Sequence, residues 1–140
     1  MNAKVFLNRY QNKYEEIKRT RAQIVALWST LQTVNNDGMP KADGVSDRVG
    51  NIASELADIE SQYDWQIDEL ELIRNEIVNV IERVPDSFQG TVLIRRYIGL
   101  ESWKDISTQM FISESYARGK LHDKAIGAVQ KILDERDLER

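Results

Sequence analysis

Side chains suited to recognition chemistry crowd into one stretch, Ser113-Glu114-Ser115-Tyr116-Ala117-Arg118-Gly119-Lys120. Ser113 stands where a helix N-cap belongs, and the free N–H groups of a helix's first turn suit a phosphate. If Ala117 and Leu121 face inward, then Tyr116, Arg118 and Lys120 face outward, with Glu114 and Ser115 at the helix start. These five are the candidates for contact with base edges. Arg118 leads them, because a guanidinium can bond a guanine in two places. Lys104 and Lys124 are placed as neighbours of phosphates. The same residues also describe an ordinary solvated helix face with an ordinary N-cap.

Other chemistry has little to stand on. The chain has no cysteine, which removes disulfides, thiolate metal sites and cysteine nucleophiles. His122 is the only histidine and no second ligand cluster accompanies it, so no metal site is expected. It reads as a surface or phosphate-facing side chain. No Ser-His-Asp spacing, phosphate-binding glycine loop or zinc motif occurs. The expectation is therefore a protein that is not an enzyme and holds no cofactor. The carboxylates of residues 55 to 82 read as a solvated helix flank. No apolar run approaches the roughly 20 residues of a membrane span, and the N-terminus lacks the apolar core of a signal peptide. A bacterial cytoplasm is the expected location.

A net charge of -4 disfavours nucleic acid only as an average. Residues 1 to 34 carry +4, residues 49 to 85 carry -7, and residues 86 to 140 balance at nine basic and nine acidic groups. Setting aside Asp86 and the acidic tail from residue 134 onward, the C-terminal part holds seven basic groups against four acidic ones. That is a modestly positive surface, sufficient for phosphate contacts.

The elements that must position these residues are all helical, because nowhere do apolar and polar residues alternate as in a strand. In the first helix, Leu7, Tyr10, Tyr14, Ile17, Arg21, Ile24, Trp28 and Leu31 follow a 3-4 spacing that predicts a coiled-coil seam, with Arg21 as its polar intrusion. The second repeats it through Val49, Ile52, Leu56, Ile59, Tyr63, Gln66, Leu70, Ile73, Ile77, Val80 and Val84, with Gln66 as the polar member. The spacing predicts a left-handed supercoil. A polar linker at about residues 35–48 allows a reversal, and opposite charges favour an antiparallel hairpin spanning residues 1–85. The longer second helix needs a further partner, either the C-terminal unit or a second copy. Trp65 and Leu72, seven apart and off the seam, suggest another contact surface. A homodimer is slightly favoured there over contact with the C-terminal unit.

Pro85 is expected to end the second helix. Asp86 or Ser87 then caps a helix through Ile98, which Gly99 should end in a left-handed conformation. Ser102 caps a short helix, with Asp105 three residues on. The chain turns at Phe111-Ile112, and Ser113 opens the next helix. Ile106, Met110, Ile112 and Ala117 have the offsets that a helix-turn-helix needs for packing, and Ser107 is small where the helices approach. Two positions dissent: Phe111 occupies the turn site usually given to glycine, and Lys120 stands where an apolar residue belongs, with Leu121 one place late. The slip predicts a local bulge near Gly119 that absorbs one extra residue. Trp103 is expected to anchor this core. Arg95 and Arg96 suit either nucleic-acid backbone or ion pairs with the coiled coil.

The run Val92-Leu93-Ile94-Arg95-Arg96-Tyr97-Ile98-Gly99-Leu100-Glu101-Ser102-Trp103-Lys104-Asp105-Ile106, with Leu121, His122, Ala125 and Ile126 after it, resembles region four of bacterial sigma factors. It is more similar to the sigma-like regulators of phages and prophages of Gram-positive bacteria, the RinA- and ArpU-like late-gene activators. Those share an R-Y-I-x-G-x-S-W-x-x-I core, here with Gly99 one place early. The similarity extends over most of the chain. It implies an all-α protein in which a long antiparallel helical hairpin is followed by a sigma-region-four-like helix-turn-helix over residues 86–140. It also implies double-stranded DNA as partner, contact with host RNA polymerase, and transcription control. A phage assembly protein such as a small terminase subunit, or a polymerase-binding adaptor that leaves DNA alone, is the competing expectation. Those terminase subunits usually place the DNA-binding part first, whereas here it stands last.

Overall fold

The computed structural model describes residues 1–35 and 43–139, and among these every element is helical. Helix α1 is Ala3–Asn35 and α2 is Asp43–Glu82. Helix α3 opens as Ser87–Leu93 and continues into a π turn, Ile94–Ile98. Helix α4 is Trp103–Met110. Helix α5 opens as Glu114–Tyr116, passes through a second π turn, Ala117–Leu121, and continues as His122–Leu138. The linker expected at about residues 35–48 lies largely outside the described residues, and its last part is already helical from Asp43. No helix among the described residues is long and apolar enough to cross a membrane.

Local chemistry accounts for the boundaries. Asp86 is extended and its carboxylate accepts from the N–H groups of Phe88 and Gln89, satisfying two orphan donors of α3. Ser102 and Ser113 do the same for α4 and α5, accepting from the N–H groups of Asp105 and Tyr116. Helix α2 ends at Glu82, three residues before Pro85, whose ring disfavours helical geometry in the residue ahead of it.

The chain forms two compact units, and their boundaries fall inside α1 and α2 instead of at Pro85. One unit is Lys13–Glu69. Here Lys13 pairs with Glu69 at 2.7 Å, Gln66 donates to Glu16 at 3.1 Å, and the Trp28 indole donates to Glu60 at 3.2 Å. Partners thus descend along α2 as they ascend along α1. The α2 positions expected in the seam are all buried or half-buried, from Val49 to Gln66 within this unit. Along α1 the expected seam is one residue off at three places. Tyr14, Arg21 and Trp28 are exposed, whereas Lys13, Thr20 and Leu27 turn inward. Hydropathy conceals each shift for its own reason. Lys13 buries its methylene stem and carries its ammonium to Glu69 and Glu16. Thr20 satisfies its own hydroxyl on the Glu16 carbonyl at 3.3 Å. Leu27 and Trp28 are adjacent and both apolar, so apolar character alone does not choose between them; the indole N–H goes to Glu60 at the surface and leucine takes the inward place. The buried polar member of α2 is Gln66, 1% exposed.

The other unit is Met1–Asn12 with Leu70–Arg140. Its core joins Ala3, Phe6 and Leu7 of α1 to Ile77, Val80 and Ile81 of α2, and these to apolar residues from α3, α4 and α5. Burial of a side chain such as Phe6, fully enclosed here, is worth roughly 1.5–3 kcal/mol. The end of α2 that needed a further partner therefore finds one in α3 to α5. Trp65 and Leu72 are both well exposed, so packing within their own units uses neither.

Candidate nucleic-acid interface

Helices α4 and α5 are held together through side chains that the spacing singled out. Ile106, Met110, Ala117 and Leu121 are buried, and Ile112 is half-buried. Between the helices Phe111 takes a left-handed conformation, φ 59° and ψ 43°, which lets its N–H and that of Ile112 both return to the Ser107 carbonyl. Its phenyl ring is 94% exposed. The turn thus has the backbone of a glycine position without the glycine.

The irregularity expected near Gly119 is present as the π turn Ala117–Leu121. A π turn admits one extra residue before the buried stripe resumes. Ala117 and Leu121 both point inward, and the stripe continues through His122, Ala125, Val129, Ile132 and Leu133. Lys120 is thereby left outside, which explains a lysine at a position that a regular helix would bury.

Ser113, Glu114, Ser115, Tyr116, Arg118 and Lys120 are exposed, as are Lys124 and Lys104. Ser113 is spent as an N-cap, accepting from the Tyr116 N–H at 3.2 Å. Arg118 is ion-paired with Glu114 one turn earlier. Both members of the pair are exposed, so it is worth at most about 1 kcal/mol and exchanges readily for another anion. Ser115, Arg118 and Gly119 share a shallow surface depression with Glu114 and Asp123.

The placement of His122 differs from expectation. His122 does not face phosphate from the surface: it is 9% exposed. Its Nε2 lies 2.6 Å from the Tyr97 hydroxyl, and the Trp103 ring meets it edge-on at 5.0 Å between centroids. Burial pushes the imidazole below its ordinary value, with Lys4 and Arg96 acting the same way and Asp123 opposing them. Burial likewise raises the Tyr97 phenol. Trp103 anchors this cluster, half-buried, with the Arg96 guanidinium over its face at 4.6 Å. Arg96 also donates to the Glu101 carbonyl at 2.9 Å, and Arg95 pairs with the Glu101 carboxylate at 3.2 Å. Both arginines are thus engaged by the α3–α4 connection, and among the described residues neither forms an ion pair with the long helices.

That connection also departs from expectation. Gly99 is right-handed, φ -72°, and Leu100 is the left-handed residue at φ 54°. Gly99 N–H returns to the Ile94 carbonyl at 2.8 Å and Glu101 N–H to the Arg95 carbonyl at 3.0 Å. A Cβ at residue 99 would stand 2.9 Å from the Arg95 oxygen, so close approach is what demands glycine there. The R-Y-I-x-G pattern puts its glycine at the position of Leu100, where this chain has its left-handed backbone.

Sequence reasoning misses the first turns of α1. Lys4, Asn8 and Gln11 line a cleft of about 380 Å³ together with Arg96, Arg118 and Asp123, backed by the Tyr97-Trp103-His122 cluster. The one available signal is the excess of positive charge in residues 1 to 34, which reads equally well as attraction between the long helices.

Comparison with protein-family models, with curated proteins and with solved structures returns no match.

Proposed function

We propose that this chain is a phage-type transcription regulator in which α4, the Phe111 turn and α5 form a DNA-binding helix-turn-helix. In this reading α1 and α2 are an antiparallel coiled-coil hairpin that dimerises or docks on host RNA polymerase. The observation that carries it is the combination at α5: an N-capped helix start and an outward row of Ser115, Tyr116, Arg118 and Lys120, over an inward row that packs on α4. The likeness of residues 92–106 to sigma region four supports the same reading. The surface is only modestly basic, so the affinity of one copy is low and a second copy or polymerase supplies the remainder. The exposed Trp65 and Leu72 each suit contact with such a partner.

In the proposed complex Arg118 exchanges Glu114 for a base edge while Lys104 and Lys124 meet phosphates. The test is retention of phage genomic fragments at low salt by wild type, Arg118→Ala and Lys120→Ala. Wild type retains a subset of fragments, and Arg118→Ala weakens retention with an unchanged salt slope, the signature of base readout. No retained fragment with any of the three proteins refutes the reading. Light scattering during size exclusion separates a monomer or dimer from the ring a packaging subunit forms.

A further inference from the structure

We infer that the cleft where the first turns of α1 meet Arg96, beside Arg118, is a phosphate-ester binding site in which Lys4 and Arg96 take the phosphate and Arg118 keeps the base edge proposed above. Three cations, Lys4, Arg96 and Arg118, line it against one carboxylate, Asp123. Their charges are poorly cancelled. Lys4 makes no ion pair among the described residues. Arg96 donates to a neutral carbonyl, so its charge persists. Arg118 has only its exposed pair with Glu114.

The back wall favours the same ligand class. The Arg96 guanidinium sits over the Trp103 ring at 4.6 Å and is tied to the Glu101 carbonyl, so it is held in place before a ligand arrives and less rotamer freedom is lost on binding. Behind it, burial disfavours the charged form of the His122 imidazole. Asn8 and Gln11 supply amide donors for sugar or phosphate oxygens. A volume of about 380 Å³ exceeds what a bare ion needs and falls in the range of small-molecule sites. The ligand chemistry is thus a phosphate mono- or diester, from a free nucleotide or from a nucleic-acid backbone. The nucleic-acid source rests on the DNA-binding reading above; the free-nucleotide source does not.

The test uses the full chain and two small probes, a deoxynucleoside 5′-monophosphate and inorganic phosphate, at constant ionic strength. NMR shifts of the Trp103 indole and His122 ring report binding. In parallel, duplex DNA is titrated at several salt concentrations. Lys4→Glu is the variant, since Lys4 is exposed and a carboxylate suits a helix's first turn. Lys131→Glu, exposed on α5 and outside the cleft, is the control for net charge. The monophosphate gives saturable shifts at Trp103 and His122, and Lys4→Glu weakens it about tenfold, as loss of one charge-assisted hydrogen bond does, while Lys131→Glu does not. With DNA, Lys4→Glu reduces the salt slope by about 1 more than Lys131→Glu does. Absence of saturable shifts with every probe, or equal effects of the two variants, overturns the site. Small phosphates bound without DNA would leave the site standing on a free nucleotide and sink the DNA reading. DNA bound without cleft shifts, and indifferent to Lys4→Glu, would do the reverse.

Discussion

Replacing Phe111 by glycine removes a large aromatic side chain and should nevertheless stabilise the protein. Phe111 is held at φ 59°, ψ 43°, where a residue with a Cβ is about 1–2 kcal/mol worse off than in the right-handed region. Glycine takes that conformation freely but has more unfolded-state freedom to lose, a cost of about 0.4–1 kcal/mol. The side chain contributes almost nothing in return. At 94% exposure, about a twentieth of the ~2 kcal/mol available from burying a phenyl ring is in play. The net expectation is a gain of about 0.5–1 kcal/mol. Phe111→Ala serves as the control, because it loses the same ring and keeps the strain, and it should lie within about 0.3 kcal/mol of wild type. Urea titrations followed by circular dichroism measure both, with midpoints compared at equal slope. If Phe111→Gly is no more stable than Phe111→Ala, the left-handed turn is not a point of strain and the expected gain has no source.

Gly99→Ala should cost about 1–3 kcal/mol, the usual penalty of overpacking, because its Cβ would stand 2.9 Å from the Arg95 carbonyl. A midpoint unchanged in urea would contradict that contact. Deleting Lys120 removes the residue that the π turn absorbs, so the helix becomes regular and the buried stripe keeps its face; the expected loss is under about 1.5 kcal/mol. Deleting Lys131 instead rotates Ile132 and Leu133 by about 100° off the core and should cost several kcal/mol, and equal damage from the two deletions in thermal melts would refute the bulge. His122 has its folded-state pKa depressed below the ordinary 6.5 by burial. The unfolded chain therefore binds the proton first, and stability that is complete above pH 6.5 declines as pH falls toward the folded value. Urea midpoints between about pH 7.5 and 5.5 should fall for wild type and fall less for His122→Gln; parallel curves would remove His122 as the cause.

Much of the local structure is legible in the chain. Asp86, Ser102 and Ser113 announce three helix starts because a short side-chain oxygen satisfies the N–H groups two and three residues on, a matter of sequence distance alone. The seam of α2 is equally legible because period and burial coincide. Even the bulge at Gly119 can be read, since an apolar stripe that slips by one residue must be absorbed somewhere. The failures share a physical origin. Lys13 and Thr20 enter the seam of α1 because partners one turn away or across the pair satisfy them, and hydropathy cannot register such partners. His122 goes inside because Tyr97, 25 residues earlier, supplies its hydrogen bond and Trp103 its packing. Gly99 serves close approach and Leu100 the left-handed turn because the π turn of α3 brings the Arg95 carbonyl against residue 99.

The row of side chains from Ser113 to Lys120 was determined by sequence as a capped, outward helix face. Its pairing with the first turns of α1 was decided only by the tertiary structure. Phe6 and Leu7 have to be buried somewhere, and burying them against the core shared by α2 to α5 sets Lys4 on the same cleft as Arg118, more than a hundred residues away along the chain. Hydrophobic burial is non-directional and blind to sequence separation. The cap at Ser113 could therefore be read from its neighbours, and the cleft could not.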